Sequence, residues 1–185
     1  MNPTSFPTEP FFLSDAWPQL YQFEEPPTSE AAFTNEQLDQ MGSERGEEYG
    51  SLVRTLREEF TQDVFILPTC DAMVIAAKHF LRGELPGIEG IHRAVGEREE
   101  RAIWRDELGH LGPGFDRLEG YVFYATLYAR SPELIEGDIA FGDKSELPSE
   151  ELDRVFRKIA WQAVIGNPLS GVTDEDGDGV GDSAE

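Results

Sequence analysis

The feature that most constrains the fold is a helix–strand–helix order between residues 44 and 81. Tyr49, Leu52, Val53, Leu56 and Phe60 recur at the spacing of one helix face, which predicts an amphipathic helix over 44–60. Asp63-Val64-Phe65-Ile66-Leu67 is then continuously apolar after its first residue and is closed by Pro68. A short apolar run without alternation is the pattern of a strand buried on both faces, and it is the one convincing strand signal in the chain. Thr69 or Asp71 is expected to cap a second helix, Ala72 to Leu81, which Gly83 stops. A buried strand between helices belongs to a layered α/β fold. The expectation is therefore a helix-rich α/β chain, a partial three-layer α/β/α arrangement with few strands.

The flanking segments fit that frame. Residues 1–30 hold Phe6, Phe11, Phe12, Trp17, Tyr21 and Phe23 among several prolines, and read as an irregular segment laid across a core. Thr34 offers a cap ahead of Leu38 and Met41. Residues 89–101, rich in Glu and Arg, read as a solvated helix or connector. Gly120 to Tyr128 is apolar enough for a buried helix, and residues 136–148 read as an acidic loop. Ser149 opens a last helix with Leu152, Val155, Phe156, Ile159, Ala160 and Ala163 on one face. Gly166-Asn167-Pro168 stops it. The organisation expected is one α/β region over 1–168 and an acidic tail over 169–185.

Composition narrows the possible partners. The 185 residues suffice for one domain with a real core, and 39% hydrophobic content with 12 Phe argues against wholesale disorder. A net charge of -22 repels phosphate backbones and anionic lipids, so neither nucleic acid nor a membrane surface is an expected partner. Cys70 is the single cysteine and cannot form an intrachain disulfide. The sequence predicts no transmembrane helix, and its first thirty residues lack the basic and apolar regions of a signal peptide.

Catalytic chemistry concentrates in Ile103 to Gly114, a glycine-rich stretch that holds Asp106 and His110. A carboxylate that fixes one imidazole tautomer, and stabilises the imidazolium formed on proton abstraction, makes a histidine a general base. On spacing alone, a turn histidine bonded to a nearby acid for structure is the commoner case. The surrounding words add weight. Leu67-Pro68-Thr69-Cys70-Asp71-Ala72-Met73, Gly83-Glu84-Leu85-Pro86-Gly87, Arg105-Asp106-Glu107-Leu108-Gly109-His110-Leu111 and Tyr121-Val122-Phe123-Tyr124-Ala125-Thr126-Leu127 together resemble the C-terminal half of SGNH (GDSL-like) hydrolases, over about residues 11–165. The resemblance implies a flavodoxin-like α/β/α fold and hydrolysis of esters or carbohydrate esters, with His110 as base and Asp106 as its orienting acid.

Two departures stand out. The family spacing is Asp-x-x-His, which Glu107 satisfies and Asp106 does not, so either acid is a candidate partner for His110. The family's Gly-Asp-Ser or Gly-Asn-Ser nucleophile word does not occur, and Ser14 is the first serine to test in its place. A base without a nucleophile has no acyl acceptor to activate. The chain is expected to be inactive alone, as a relative of an extracellular or periplasmic hydrolase whose N-terminal third lies upstream. Its substrate would be a small-molecule or glycan ester.

A second constellation closes the sequence. Asp174, Asp176 and Asp178 alternate, Gly179 follows, and Val180 (through its carbonyl), Asp182 and Glu185 complete the spacing of a calcium loop. The segment resembles the Asp-rich loops of thrombospondin type-3 repeats, which implies calcium as the cofactor. The alternative to the hydrolase reading is a non-catalytic exported α-rich module whose chemistry is this calcium site. Cys70, beside Asp71 and without a basic neighbour, reads as a half-buried structural thiol. His79 and His92 read as surface or satisfied core residues.

Overall fold

The protein was analysed as a computed structural model, which describes residues 9–15, 19–20, 25–95, 97, 99–137 and 148–182. Thr34 starts the first long element. Its hydroxyl oxygen accepts the Gln37 N–H at 3.2 Å, and helix α1 runs Asn35–Glu59. It begins earlier than the spacing over 44–60 predicts because Leu38 and Met41 also join the buried face. Strands β1 (Phe11–Ser14) and β2 (Val64–Leu67) pair in parallel with Phe11 opposite Val64, and α1 is the crossover between them. A second parallel pair, β3 (Gly90–His92) and β4 (Ala102–Trp104), sets His92 opposite Trp104. Helices α2 (Thr69–Leu81), α3 (Phe115–Tyr128) and α4 (Glu150–Gly166) complete the fold, with short 3-10 turns at Glu30–Ala32 and Pro132–Leu134.

The class is the expected one, helix-rich α/β with few short strands. α3 packs along α4, and α2 touches both α1 and α4. Trp104, Phe115, Tyr121 and Phe156 are the largest fully buried side chains, and Phe115 meets Phe156 at a ring separation of 4.9 Å. A smaller apolar cluster of Val53, Val64 and Ile66, with Leu13 and Leu56 against it, joins α1 to the first sheet. Ser149 caps α4 as expected, accepting the Leu152 N–H at 3.2 Å. Among the described residues, no helix is long and apolar enough to cross a membrane.

One buried carboxylate ties the helical half together. Asp153 accepts from Tyr121 Oη at 2.7 Å, Arg157 Nε at 2.8 Å and Arg117 Nη1 at 3.1 Å. Burial would push its carboxyl up, but these hydrogen bonds outweigh that and hold it below its ordinary range. Burial and the Asp153 charge push the Tyr121 phenol up to about 12. Arg157 also donates to the carbonyl of Ile135 at 2.9 Å, so α3, α4 and the connection between them share one polar junction.

Four expectations are corrected. β2 is not the one strand, since Phe11 and Phe12 of the supposed irregular segment form β1 and two more strands follow. Residues 89–101 are a solvated connector only in part: Gly90, Ile91 and His92 are buried in β3, whose Ile91 and His92 N–H groups donate to the Glu30 carboxylate at 2.8 and 2.9 Å, while the described residues from Arg93 to Arg101 are largely exposed. Neither Thr69 nor Asp71 caps α2. Pro68 precedes it, the Thr69 hydroxyl turns to Asp15, and Asp71 accepts from Asn167 Nδ2 at 2.7 Å. Finally, the described part of 169–185 is docked. Leu169 O accepts the Ile66 N–H at 2.9 Å, Ser170 and Val172 are buried, and Arg130 and Val180 form an antiparallel bridge. Phe6, Trp17, Tyr21, Phe23, most of the acidic loop (138–147) and residues 183–185 lie outside the described residues.

Candidate functional site

The Asp106–His110 site is a tight reversal at the end of β4. Trp104 and Leu111 form an antiparallel bridge, Arg105 N–H donates to His110 O at 2.7 Å, and Gly112 N–H donates to Ile103 O at 2.7 Å. Inside the reversal Gly109 N–H donates to Asp106 O at 2.9 Å, with Gly109 at φ 79°, a conformation glycine adopts without a Cβ clash. Gly112 is required by space. A Cβ there would sit 1.7 Å from the Ala102 carbonyl oxygen.

The Asp106 carboxylate organises this turn from within. Its Oδ1 accepts the N–H groups of Leu108 at 3.1 Å and His110 at 3.3 Å, and its Oδ2 lies 2.8 Å from His110 Nδ1. Desolvation is the largest single influence on Asp106 and raises its pKa, but the hydrogen bonds and charge of His110, with the Leu108 N–H, together outweigh it and hold the carboxyl below the usual range. Of the two candidate acids, it is Asp106 that touches the imidazole. Glu107 instead uses its backbone carbonyl, which accepts the Leu20 N–H at 3.0 Å. That contact brings the segment leaving the carboxyl end of β1 against the turn. In open parallel sheets ligands gather beyond the carboxyl ends of the strands. The His110 side chain is 52% exposed.

Ser14, at the end of β1, places its Oγ 3.4 Å from Thr69 Oγ1. Among the described residues, the hydrogen-bond partner of the His110 ring is Asp106 alone. Asp15, the next residue, is a functional-looking group that sequence reasoning did not single out. It is 4% exposed, accepts the Cys70 N–H at 2.9 Å and the Thr69 hydroxyl at 3.0 Å, and has its pKa raised to about 7, chiefly by burial. No sequence signal marked it, since the strand that precedes it was not legible either. Cys70 is fully buried rather than half-buried, and burial followed by the charges of Asp15 and Asp71 pushes its thiol well up. That excludes a ready thiolate at neutral pH. His92 is a core residue stacked on Phe33, while His79 lies 3.0 Å from Glu84.

The C-terminal loop folds around its own acids. Carboxylate oxygens of Asp174, Asp176 and Asp178 all lie within 4.8 Å of one another. Gly177 at φ 75° and Gly179 at φ 81° make the turns, and Val180 N–H donates to Asp178 Oδ1 at 2.7 Å. Asp174 also receives Trp161 Nε1 at 3.0 Å and the Gly177 and Gly179 N–H groups at 3.0 and 3.2 Å. Asp182 turns Oδ2 to the Glu175 N–H at 2.6 Å, and Glu185 lies outside the described residues. Three converging hard oxygens, with the Val180 carbonyl next in the loop, fit the ligand chemistry of calcium.

No family model, curated protein or solved structure was found to match the chain.

Proposed function

We infer that this chain carries the acid–base part of an ester-hydrolysing site, with Asp106 orienting His110. The observation behind this reading is the 2.8 Å contact between Asp106 and His110 Nδ1 on a turn braced by its own backbone. An imidazole held through Nδ1–H keeps Nε2 as the basic nitrogen, and Asp106 stabilises the imidazolium when Nε2 takes a proton. The hydroxyl that would lose this proton and attack the acyl carbon is not paired with His110 among the described residues, and a base without such a partner has no acyl acceptor to activate. A small-molecule or glycan ester in an extracellular or periplasmic setting remains the substrate class implied by the SGNH resemblance.

The test uses an aryl acetate with the full chain. Hydrolysis is expected at a rate no greater than that of free imidazole, and His110→Ala should remove most of it. Hydrolysis indifferent to His110→Ala would overturn the assignment of the base. A saturable turnover lost in Ser14→Ala would show that the chain holds its own nucleophile.

A second reading concerns the C-terminal loop and rests on the convergence of Asp174, Asp176 and Asp178. Calcium bound there would neutralise the mutual repulsion of the acids and would be held by Asp174, Asp176, Asp178 and the Val180 carbonyl, with Asp182 and Glu185 completing the set. Calorimetric titration decides it. Heat at millimolar calcium that disappears when Asp174, Asp176 and Asp178 are all replaced supports the site, and an identical response in that variant removes it.

A further inference from the structure

Parallel strands are ordinarily covered on both faces, and a strand at an open edge presents backbone groups that another strand can pair. Among the described residues, β1 is paired on one side only. Phe11 N–H donates to Asp63 O at 2.8 Å and Asp15 N–H to Leu67 O at 3.4 Å, so the odd-numbered residues face β2. The N–H and C=O groups of Phe12 and Ser14 therefore point to the outer edge, where no described strand pairs with them. β2 differs, since its far edge is occupied by Leu169 O and by the Arg57 guanidinium bonded to Val64 O.

A groove accompanies this edge. A cavity of about 380 Å³ is lined by Phe11 and Leu13 of β1, Val64 of β2, Leu56 of α1 and Phe60 just past its end. Phe11 is 57% exposed and Phe60 52%, so two large apolar rings stand open to solvent in the lining of this groove. The exposed acids Glu9, Glu58, Glu59 and Asp63 neighbour the lining residues in sequence. Backbone pairing gives such an edge its affinity and the side-chain groove its selectivity. Charge then chooses the occupant. A second copy would bring another net charge of -22, whereas a strand with basic flanks would relieve the local repulsion.

We propose that the outer edge of β1 docks an extended strand of another polypeptide, apolar at alternate positions and flanked by lysine or arginine. The site is independent of Asp106 and His110. The probe is a capped peptide of alternating valine and threonine with two lysines at each end, titrated into the full ¹⁵N-labelled chain. In the free chain the Phe12 and Ser14 amides should exchange rapidly while Leu13 is protected, and saturating peptide should protect Phe12 and Ser14. Phe60→Asp and, separately, Phe11→Asn should each weaken binding by about tenfold or more while leaving the circular dichroism spectrum unchanged, since both rings are half exposed. Protection of Phe12 and Ser14 already present in the free chain would show the edge is covered and overturn the proposal. So would an absence of binding, equal binding of a glutamate-flanked peptide, or dimerisation through this edge abolished by Phe60→Asp.

Discussion

Asp15 carries a carboxyl group into a place that water barely reaches, at the junction of β1 and the first turn of α2. Its pKa is raised from 3.8 to about 7 by burial, partly offset by the Cys70 N–H. The folded state thus holds the proton more tightly than the unfolded one. Stability from this group is present in full at low pH and is lost as pH rises through the folded pKa, with a slope of at most about 1.4 kcal/mol per pH unit. Asp71 and Glu30, also raised by burial, act in the same direction. Urea denaturation is therefore expected to show a lower midpoint at about pH 8 than at about pH 5, and Asp15→Asn should flatten that difference. An unchanged slope in the variant would place the pH dependence elsewhere. Asp106, depressed by His110, contributes in the opposite sense, with stability lost only as pH falls through its lowered pKa.

At the scale of elements, the polar junction of α3 and α4 and the β4 reversal give the sharpest expectations. Asp153→Ala would leave Arg157 and Arg117 without their shared carboxylate in a nearly closed site. Loss of one partner of such a network costs about 3–5 kcal/mol, measurable as a fall in the urea midpoint. Gly112→Ala should displace the Asp106–His110 turn, because the added carbon collides with the Ala102 carbonyl and the backbone must move. A variant with the wild-type melting temperature and unshifted His110 resonances would contradict that. The helices were legible because Leu38, Val53, Leu152 and Phe156 repeat at helical spacing and Thr34 and Ser149 are good caps. β3 and β4 were not, since Gly90-Ile91-His92 and Ala102-Ile103-Trp104 are too short for a period to emerge from their charged surroundings. β1 was masked by the prolines around it. The Asp106–His110 turn was visible because an acid, a glycine and a histidine lie within one reversal. Asp15 was not, because its burial depends on Thr69 and Cys70, which are distant in sequence.

Across the whole molecule, the C-terminal loop is joined to the helical body, a junction the composition of residues 169–185 hides because the contacts are largely backbone. Ser131 N–H donates to Gly179 O at 2.7 Å and Gly181 N–H to Ala129 O at 2.6 Å, where α3 ends with Ala129 at φ 47°. Calcium should therefore raise the melting temperature of the entire chain, by about 1.4 kcal/mol of stability at tenfold excess over Kd. With Kd on the order of 10⁻⁴ to 10⁻³ M, magnesium should compete poorly because it needs a smaller octahedral cage. Asp178→Ala should abolish the calcium-dependent rise but leave the calcium-free melt unchanged, since Asp178 is exposed and bonds only within the loop. Asp174→Ala should lower both, because Trp161 loses its hydrogen-bond acceptor.

The central claim is that Asp106 holds His110 through Nδ1 and presents Nε2 as a base. The most direct measurement is the long-range ¹H–¹⁵N spectrum of the His110 ring, recorded with the imidazole neutral in wild type and in Asp106→Asn. Wild type is expected to show the proton on Nδ1 and a free Nε2, and Asp106→Asn should shift the ring toward the Nε2-protonated tautomer. A proton on Nε2 in wild type, or an Asp106→Asn spectrum indistinguishable from it, would contradict the account.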